Sequence, residues 1–511
     1  MMELAASDPG RLAIAGDGER LTYGELHDAA ARIRAGVESL LQDRPASGSD
    51  GETGGVPIVA VSCARAIDAA RLLVGVASFR AIVAVLDPLW PLEHRLETIR
   101  RVDPALVITD DAALEAALSS ASATASPAAP GWHGRAIPLA GFDALAAAAP
   151  ASAGPEVRPR DEPYLLLFTS GTTDLPKGFL RTRGSWDYNV EASRGPLFAG
   201  DRVQTIAPGP VSYSLTLYAL VEALATGGSL HLQSRFDAAD AVRTIERHGI
   251  ERFVGVPSML LALAAAARGG AALASLRWVI TGGANQSEAI RERFRTAAPQ
   301  ALLRSYYGAS EIGFIGTSDA GDGTRLTPFA GLAVEVRDEA GARVPDGEIG
   351  TLHIRVASQV ERYLTATSAE RITGADGWSS VGDLASVVDG EIVLAGRAGD
   401  IAVTGGHKVS LPQVERALAT VPGCDQCCAI ALPDAGLGSI VAVVVEGAGP
   451  AGAQGAVPAK AVVQAELRRL LPEQFVPRRY FRVDALPRTA GGKIRRVAVA
   501  ELVAAGAAER L

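Results

Sequence analysis

The chain has 511 residues, 48% of them hydrophobic and 21% charged, with a net charge of −8 and a pI near 5.6. That length exceeds one hydrophobic core and implies two or three domains, in the composition range of globular proteins and with no apolar stretch long enough for a membrane span. The acidic balance excludes general nucleic-acid binding, yet leaves room for a local positive site that grips a small anion.

The N-terminal residues carry no basic segment followed by a long apolar one, so no secretory leader is expected. Residues 21–26 lead into a helix through Ala30, Ile33 and Val37, capped by Thr22 with Glu25 three residues on. Residues 42–55 are rich in Ser, Gly and Asp and read as a surface loop. Residues 58–61 form a strand entered through Pro57, 69–80 an apolar helix, and 82–86 a second strand ending at Asp87-Pro88-Leu89-Trp90-Pro91. Residues 110–155, rich in Ala, Ser and Pro, are expected to hold one short helix in a solvated linker.

Residues 164–168 are a short apolar run flanked by breakers, which reads as a buried strand. The run ends in Thr169-Ser170-Gly171-Thr172-Thr173-Asp174-Leu175-Pro176-Lys177-Gly178. Glycines let backbone N–H groups turn toward an anion, hydroxyls add donors, and Lys177 adds a mobile point charge. The loop is equipped to hold polyphosphate. It is not a Walker A loop, which needs Gly-Lys-Ser/Thr opening a helix.

Strands at 203–206, 252–256 and 278–281 then alternate with helices at 214–225, from Pro257-Ser258 to Ala267, and from a Ser287 cap through Phe294. Such alternation predicts a largely parallel sheet covered by helices, with ligands beyond the carboxyl ends of the strands. Residues 334–337, 350–356 and 391–394 are short alternating strands split by Asp/Gly turns, which suggests a small antiparallel β subdomain. Beyond Gly396 come a strand at Ile401, a helix at 413–420, strands at 428–431 and 440–445, a helix at 461–471 and a strand at 479–483. The expected fold is therefore α/β. A large N-terminal domain, residues 1–397, holds mostly parallel sheets and the β subdomain; a small α+β domain, residues 398–511, follows.

Cys424, Cys427 and Cys428 form a Cys-x-x-Cys-Cys cluster without a second cysteine or histidine pair, and read as structural thiols in a reducing cytoplasm.

The 169–178 loop resembles the signature loop of the acyl-adenylate-forming superfamily, which includes acyl-CoA synthetases (AMP-dependent synthetases and ligases), luciferases and peptide-synthetase adenylation domains. It departs from the family form at Asp174, where Gly is usual; a carboxylate beside triphosphate is repelled, so Asp174 is expected to point away. Four further segments resemble family motifs in the family's order. Thr281-Gly282-Gly283-Ala284 is similar to the turn on which the purine lies. Tyr306-Tyr307-Gly308-Ala309-Ser310-Glu311 is similar to Tyr-Gly-x-Thr-Glu. Gly377-Trp378-Ser379-Ser380-Val381-Gly382-Asp383 is similar to Gly-Trp-x-x-Thr-Gly-Asp. Gly396-Arg397-Ala398-Gly399-Asp400 resembles the domain hinge, paired with Pro487-Arg488-Thr489-Ala490-Gly491-Gly492-Lys493 near the C-terminus.

The resemblance implies ATP, Mg²⁺ and a carboxylic acid as reactants. Thr169, Ser170, Gly171, Thr172, Thr173 and Lys177 would hold the β/γ phosphates. Gly282, Gly283, Ala284, Tyr307 and Gly308 would hold adenine, with Tyr307 stacked on the ring. Ser310 would bond a phosphate, Glu311 would hold Mg²⁺, Asp383 would accept both ribose hydroxyls and Arg397 would reach ribose or phosphate. Lys493 would bridge carboxylate and α-phosphate, with Asp400 as the pivot about which a mobile C-terminal domain swings. Gly405-Gly406-His407-Lys408 would lie along the thiol's path. Amino-acid-activating members carry an Asp in the pocket segment; here residues 207–214 contain no acid. The expected substrate is thus a carboxylic acid without an α-amino group, in a pocket lined by Ser212, Tyr213, Ala309, Leu215 and Phe314. The expected acceptor is CoA, with a carrier-protein phosphopantetheine or an amine as alternatives. A catalytically silent nucleotide-binding module is the alternative from another class, disfavoured by Lys493, Glu311 and Asp383.

Overall fold

The computed structural model describes residues 1–42, 50–124, 132–150, 153–169, 175–267, 270–282, 286, 288–319, 321, 323–397, 400–404, 407–434, 437–447, 458–488 and 494–511. Among these, the strands form three sheets.

The first sheet runs in the order Arg135–Pro138, Leu106–Thr109, Ile58–Ser62, Ile82–Val85, Pro163–Thr169, Lys177–Thr182. Its first five strands are parallel and the last pair is antiparallel. Its strands are apolar without alternation because both faces are covered. Leu165 and Leu167 join one cluster with Val59, Val61, Val83 and Val85, while Leu166 joins another with Ile58, Ala60, Ile82 and Ala84. The first cluster also takes in Ala207, Leu230, Val254 and Ile280, so it lies between this sheet and the next.

The second sheet has parallel strands Leu12–Gly16, Ser229–Gln233, Gln204–Pro208, Arg252–Gly255, Trp278–Gly282 and Leu302–Ala309. It continues, antiparallel, through Gly313–Ser318 and Arg325–Pro328 into the strands between Ala333 and Arg397. The expected β subdomain is thus antiparallel and hydrogen-bonded onto the end of the parallel sheet. The third sheet, between Ile401 and Arg510, has one apolar cluster on each face, around Val441 and Val443 and around Ala442 and Val444. With its helices it forms the small α+β C-terminal unit. Among the described residues, no helix is long and apolar enough to cross a membrane.

The first long helix starts as its sequence requires: the Thr22 side chain accepts from Glu25 N and Glu25 accepts from Thr22 N, while Leu26, Ala30, Ile33 and Val37 are buried. The 110–155 expectation needs correction. This stretch contributes helices Ala112–Thr124 and Leu139–Ala148, and the strand Arg135–Pro138 at the sheet edge. Its Ala-rich composition conceals a parallel strand that only pairing with Leu106–Thr109 reveals. Of the 42–55 loop, Asp50–Thr53 is a short helix, and residues 43–49 lie outside the described set.

One buried ion pair ties three elements of the second layer together. Arg252, on its parallel strand, donates from Nη2 to Glu222 Oε2 at 2.8 Å, with the side chains only 1% and 2% exposed. Glu222 also accepts from Ser193 Oγ at 2.6 Å, and Arg252 Nε donates to Leu197 O at 2.8 Å. Removing one member leaves the other charge buried without its partner. Glu222→Ala is expected to cost about 3–5 kcal/mol, while the double variant Glu222→Leu/Arg252→Met regains most of that loss. Urea-denaturation midpoints of the two variants check it; equal destabilisation by both would refute the account.

Candidate active site

Two groups of expected site residues converge on neighbouring strand ends. The first lies at the end of the first sheet. Thr169 closes one strand and Lys177 opens the next, and the two are cross-strand partners, so the chain leaves and re-enters the sheet at one point. Ser170, Gly171, Thr172, Thr173 and Asp174 lie outside the described residues. Lys177 Nζ stands 2.8 Å from both oxygens of Glu370 and 5.4 Å from the ring centroid of Tyr363. Tyr363 donates its hydroxyl to Glu311 Oε1 at 2.8 Å, and the Thr169 side chain acts on the same phenol. Burial, followed by the Glu311 carboxylate, holds the Tyr363 phenol protonated, so it remains a donor. Glu311 is itself only 8% exposed.

The second group gathers Tyr307, Asp383 and Arg397. Asp383 opens one strand and Arg397 ends the next, directly opposite it. Arg397 Nε donates to Asp383 Oδ1 at 2.8 Å, and the Tyr307 hydroxyl donates to Asp383 Oδ2. Burial and that carboxylate push the Tyr307 pKa well above the ordinary phenol value. Burial alone would lower the Arg397 pKa; the facing Asp383 outweighs it and holds it up.

A hairpin connects the groups. Leu302–Ala309 pairs with Gly313–Ser318, with a register shift between Tyr307 and Gly308. Gly308 is needed there because a Cβ would sit 2.6 Å from the Gly313 carbonyl oxygen. The shift turns the chain so that Tyr307 reaches Asp383 while Glu311, in the following turn, reaches Tyr363. Gly282 ends its parallel strand beside Tyr306; Gly283 and Ala284 lie outside the described residues.

The expected pocket residues are brought near these groups. Ser310 Oγ lies 2.6 Å from Ser214 Oγ, which places this hydroxyl toward the pocket segment. Tyr213 is the N-cap position of the helix Ser214–Thr226, and the Ser212 hydroxyl is buried with no hydrogen-bond partner among the described residues. Ala309 is half-buried and Leu215 is partly buried against the core. Phe314 sits in an aromatic cluster, 4.8 Å from the Tyr218 ring and 5.0 Å from that of Tyr306. Trp186 stacks on Tyr218 at 4.3 Å, and Asn189 Nδ2 donates to the Tyr218 hydroxyl at 3.2 Å. Asn189, Tyr218, Tyr363 and Glu370 were not legible as site residues.

In the C-terminal unit, Asp400 Oδ1 accepts from Arg496 Nε at 2.7 Å, and Arg496 also bonds Glu415 and the Ala429 carbonyl. Arg488 and Ile494, which flank residues 489–493 in the chain, form an antiparallel bridge. Lys493, Gly405 and Gly406 lie outside the described residues.

Known proteins share this architecture. The family described as AMP-binding enzyme matches residues 2–364, and the AMP-binding enzyme C-terminal domain matches residues 413–493. An uncharacterized acyl-CoA ligase of Bacillus subtilis is 25% identical over 498 residues, covering 96% of this chain and 95% of its own length. Indoleacetate–CoA ligase of Aromatoleum aromaticum is 30% identical over 371 residues, 68% of this chain and 69% of the relative. ATP-bound MatB of Rhodopseudomonas palustris superposes with a TM-score of 0.84 at 22% identity, covering 97% of this chain and 96% of that one.

The cysteine cluster takes no part in the site. Cys424, Cys427 and Cys428 are buried free thiols within the two apolar clusters of the C-terminal unit. Burial pushes Cys424 and Cys428 up to about 12. At pH 8 the thiolate fraction of each is then about a thousandfold below that of an ordinary thiol. Iodoacetamide at pH 8 is expected to leave the folded protein unlabelled and to label four cysteines after guanidinium unfolding. Rapid native labelling of this cluster, read by mass, would contradict its burial.

Proposed function

The chain belongs to the AMP-binding enzyme family, and on that premise we propose that the Thr169–Lys177–Glu311 and Tyr307–Asp383–Arg397 groups are the two ends of one ATP site. At the family level it is an AMP-forming acid–thiol ligase, joining a carboxylic acid to AMP and passing the acyl group to coenzyme A. The convergence of Tyr307, Asp383 and Arg397 carries the site reading. An aromatic face, a carboxylate and a guanidinium meet at one point, which matches the base, hydroxyls and phosphate of a nucleotide.

A carboxylate oxygen of the acid attacks the α-phosphorus of ATP, and the bond to the bridging β-phosphate oxygen breaks with that electron pair leaving on pyrophosphate. Both reactants are anions, so the protein's task is charge neutralisation and in-line placement. Lys177 and Thr169 hold the departing β/γ phosphates. Asp383 accepts from the ribose hydroxyls and Tyr307 lies against adenine. Lys493 bridges the carboxylate and the α-phosphate as negative charge develops there. A buried carboxylate oriented by one phenol suits a hard cation that binds through few protein carboxylates and several phosphate oxygens. Glu311 would hold Mg²⁺, which supplies positive charge against the polyphosphate. A thiol then attacks the acyl carbonyl and AMP leaves.

The substrate is an acid without an α-amino group. Residues 207–214 offer hydroxyls and no carboxylate to an ammonium, and the groups behind them are Trp186, Tyr218 and Phe314. The domain boundary lies near Arg397, with residues 398–511 as the moving part about Asp400. Coenzyme A is the acceptor, and the buried free thiols support a reducing, cytoplasmic setting.

Pyrophosphate release with Mg-ATP across a panel of fatty, aryl, branched and amino acids, each with and without CoA, tests this reading. Acid-dependent release with acyl-CoA as product is expected, and preference for amino acids would overturn the substrate class. Lys493→Ala is expected to slow adenylation by about a hundredfold or more, because it removes an interaction made mainly in the transition state. Thioester formation from supplied acyl-adenylate should survive, and equal loss of both half-reactions would argue against a moving lysine.

A further inference from the structure

The segment from Val356 to Gly382 joins two strands of the antiparallel region, and its path is pinned from both sides. Leu364 N donates to Gly178 O at 2.7 Å and Gly178 N donates to Thr367 Oγ1 at 2.9 Å, which fastens it to the residue after Lys177. Val360 N donates to Glu311 O at 2.9 Å. The buried Arg181 donates to Ser358 O at 2.7 Å, and Ser358 Oγ donates to Ile312 O at 2.7 Å. These bonds carry Tyr363 and Glu370 into the space between Lys177 and Glu311.

The two side chains are held differently. Tyr363 is half-buried, edge-on to Phe179 at 6.3 Å, and donates to Glu311. Glu370 is 66% exposed and its carboxylate meets Lys177 with both oxygens. A polyphosphate within hydrogen-bonding distance of Lys177 Nζ would stand beside that carboxylate, and two anions on one ammonium repel. An exposed Glu370 side chain can rotate into solvent without disturbing the backbone bonds that fix the segment. The pair therefore has the form of an exchange: one anion leaves the lysine as another arrives.

We propose that Tyr363 and Glu370 belong to the nucleotide site. Glu370 is the internal counter-ion of Lys177 and competes with polyphosphate for it; Tyr363 is the positioning residue of the Glu311 carboxylate. The inference rests on the ATP site proposed above. Affinity for the β/γ phosphates is thus a difference between two ion pairs. It is set partly by a residue that itself repels the ligand.

Isothermal titration with α,β-methylene-ATP tests it. Glu370→Gln, isosteric and neutral, is expected to tighten binding roughly two- to fivefold, the scale of an exposed ion pair. The gain should shrink at high salt and vanish in a Lys177→Ala background. AMP, without β/γ phosphates, should bind as it does to the unmodified protein. Unchanged or weaker analogue binding by Glu370→Gln, with Lys177→Ala weakened, would overturn the competition. Lys177→Ala binding like the parent would instead overturn the phosphate role of Lys177. Tyr363→Phe is expected to lower kcat for pyrophosphate release about tenfold, the scale of a lost hydrogen bond to a charged group, with KM for ATP unchanged. A rise in KM with kcat intact would overturn the positioning role.

Discussion

The structure turns on the cross-strand pair Thr169 and Lys177. The residues on either side of the hydroxyl- and glycine-rich segment are fixed by one antiparallel pair at the edge of a sheet buried on both faces. Leu165, Leu166 and Leu167 commit the preceding strand to two apolar clusters at once, so it cannot slip without exposing one of them. The position of Lys177 is set from the other side of that ladder. The apolar run that seemed merely structural is what aims the charged residue.

The same economy governs the charges. Among the described residues these ionic groups are paired within the chain: Lys177 has Glu370, Glu311 has Tyr363, Asp383 has Tyr307 and Arg397, and Asp400 has Arg496. Unpaired charge in a half-buried cleft is costly, and these pairings remove that cost. On the proposed reading, an incoming phosphate would exchange for one of these partners. The exposed member of each pair is the one suited to move: Glu370 at 66% and Arg397 at 58%, against 10% for the Asp383 side chain.

The two groups of polar residues sit on different sheets, and the hairpin that links them shifts register at Gly308. One residue of shift sends Tyr307 toward Asp383 and Glu311 toward Tyr363. Behind them Trp186, Tyr218 and Phe314 form an aromatic wall, tied by Asn189. The wall offers a large apolar contact area.

Chemistry carried by contiguous residues was legible directly. The segment 169–178, Tyr307 with Glu311, Asp383, Arg397 and Lys493 stood out by residue type and order, and of these the structure brings Tyr307, Asp383 and Arg397 together and Glu311 to Tyr363. The parallel layering followed from alternation of apolar strands and helices, and the helix start at Thr22 from its cap. Residues 110–155 misled, since a four-residue edge strand, Arg135–Pro138, has no periodic signature and exists only through its partner. Tyr363, Glu370, Asn189 and Tyr218 were likewise silent. Nothing in their neighbours states where they point; hydrogen bonds to Gly178, Glu311 and Phe314, more than a hundred residues away in chain for some, decide it. Sequence by itself determined the family and the layer architecture, which depend on short-range pattern and burial. Tertiary structure alone decided which charges face each other, because cross-strand register and packing between distant segments are properties of the assembled sheet.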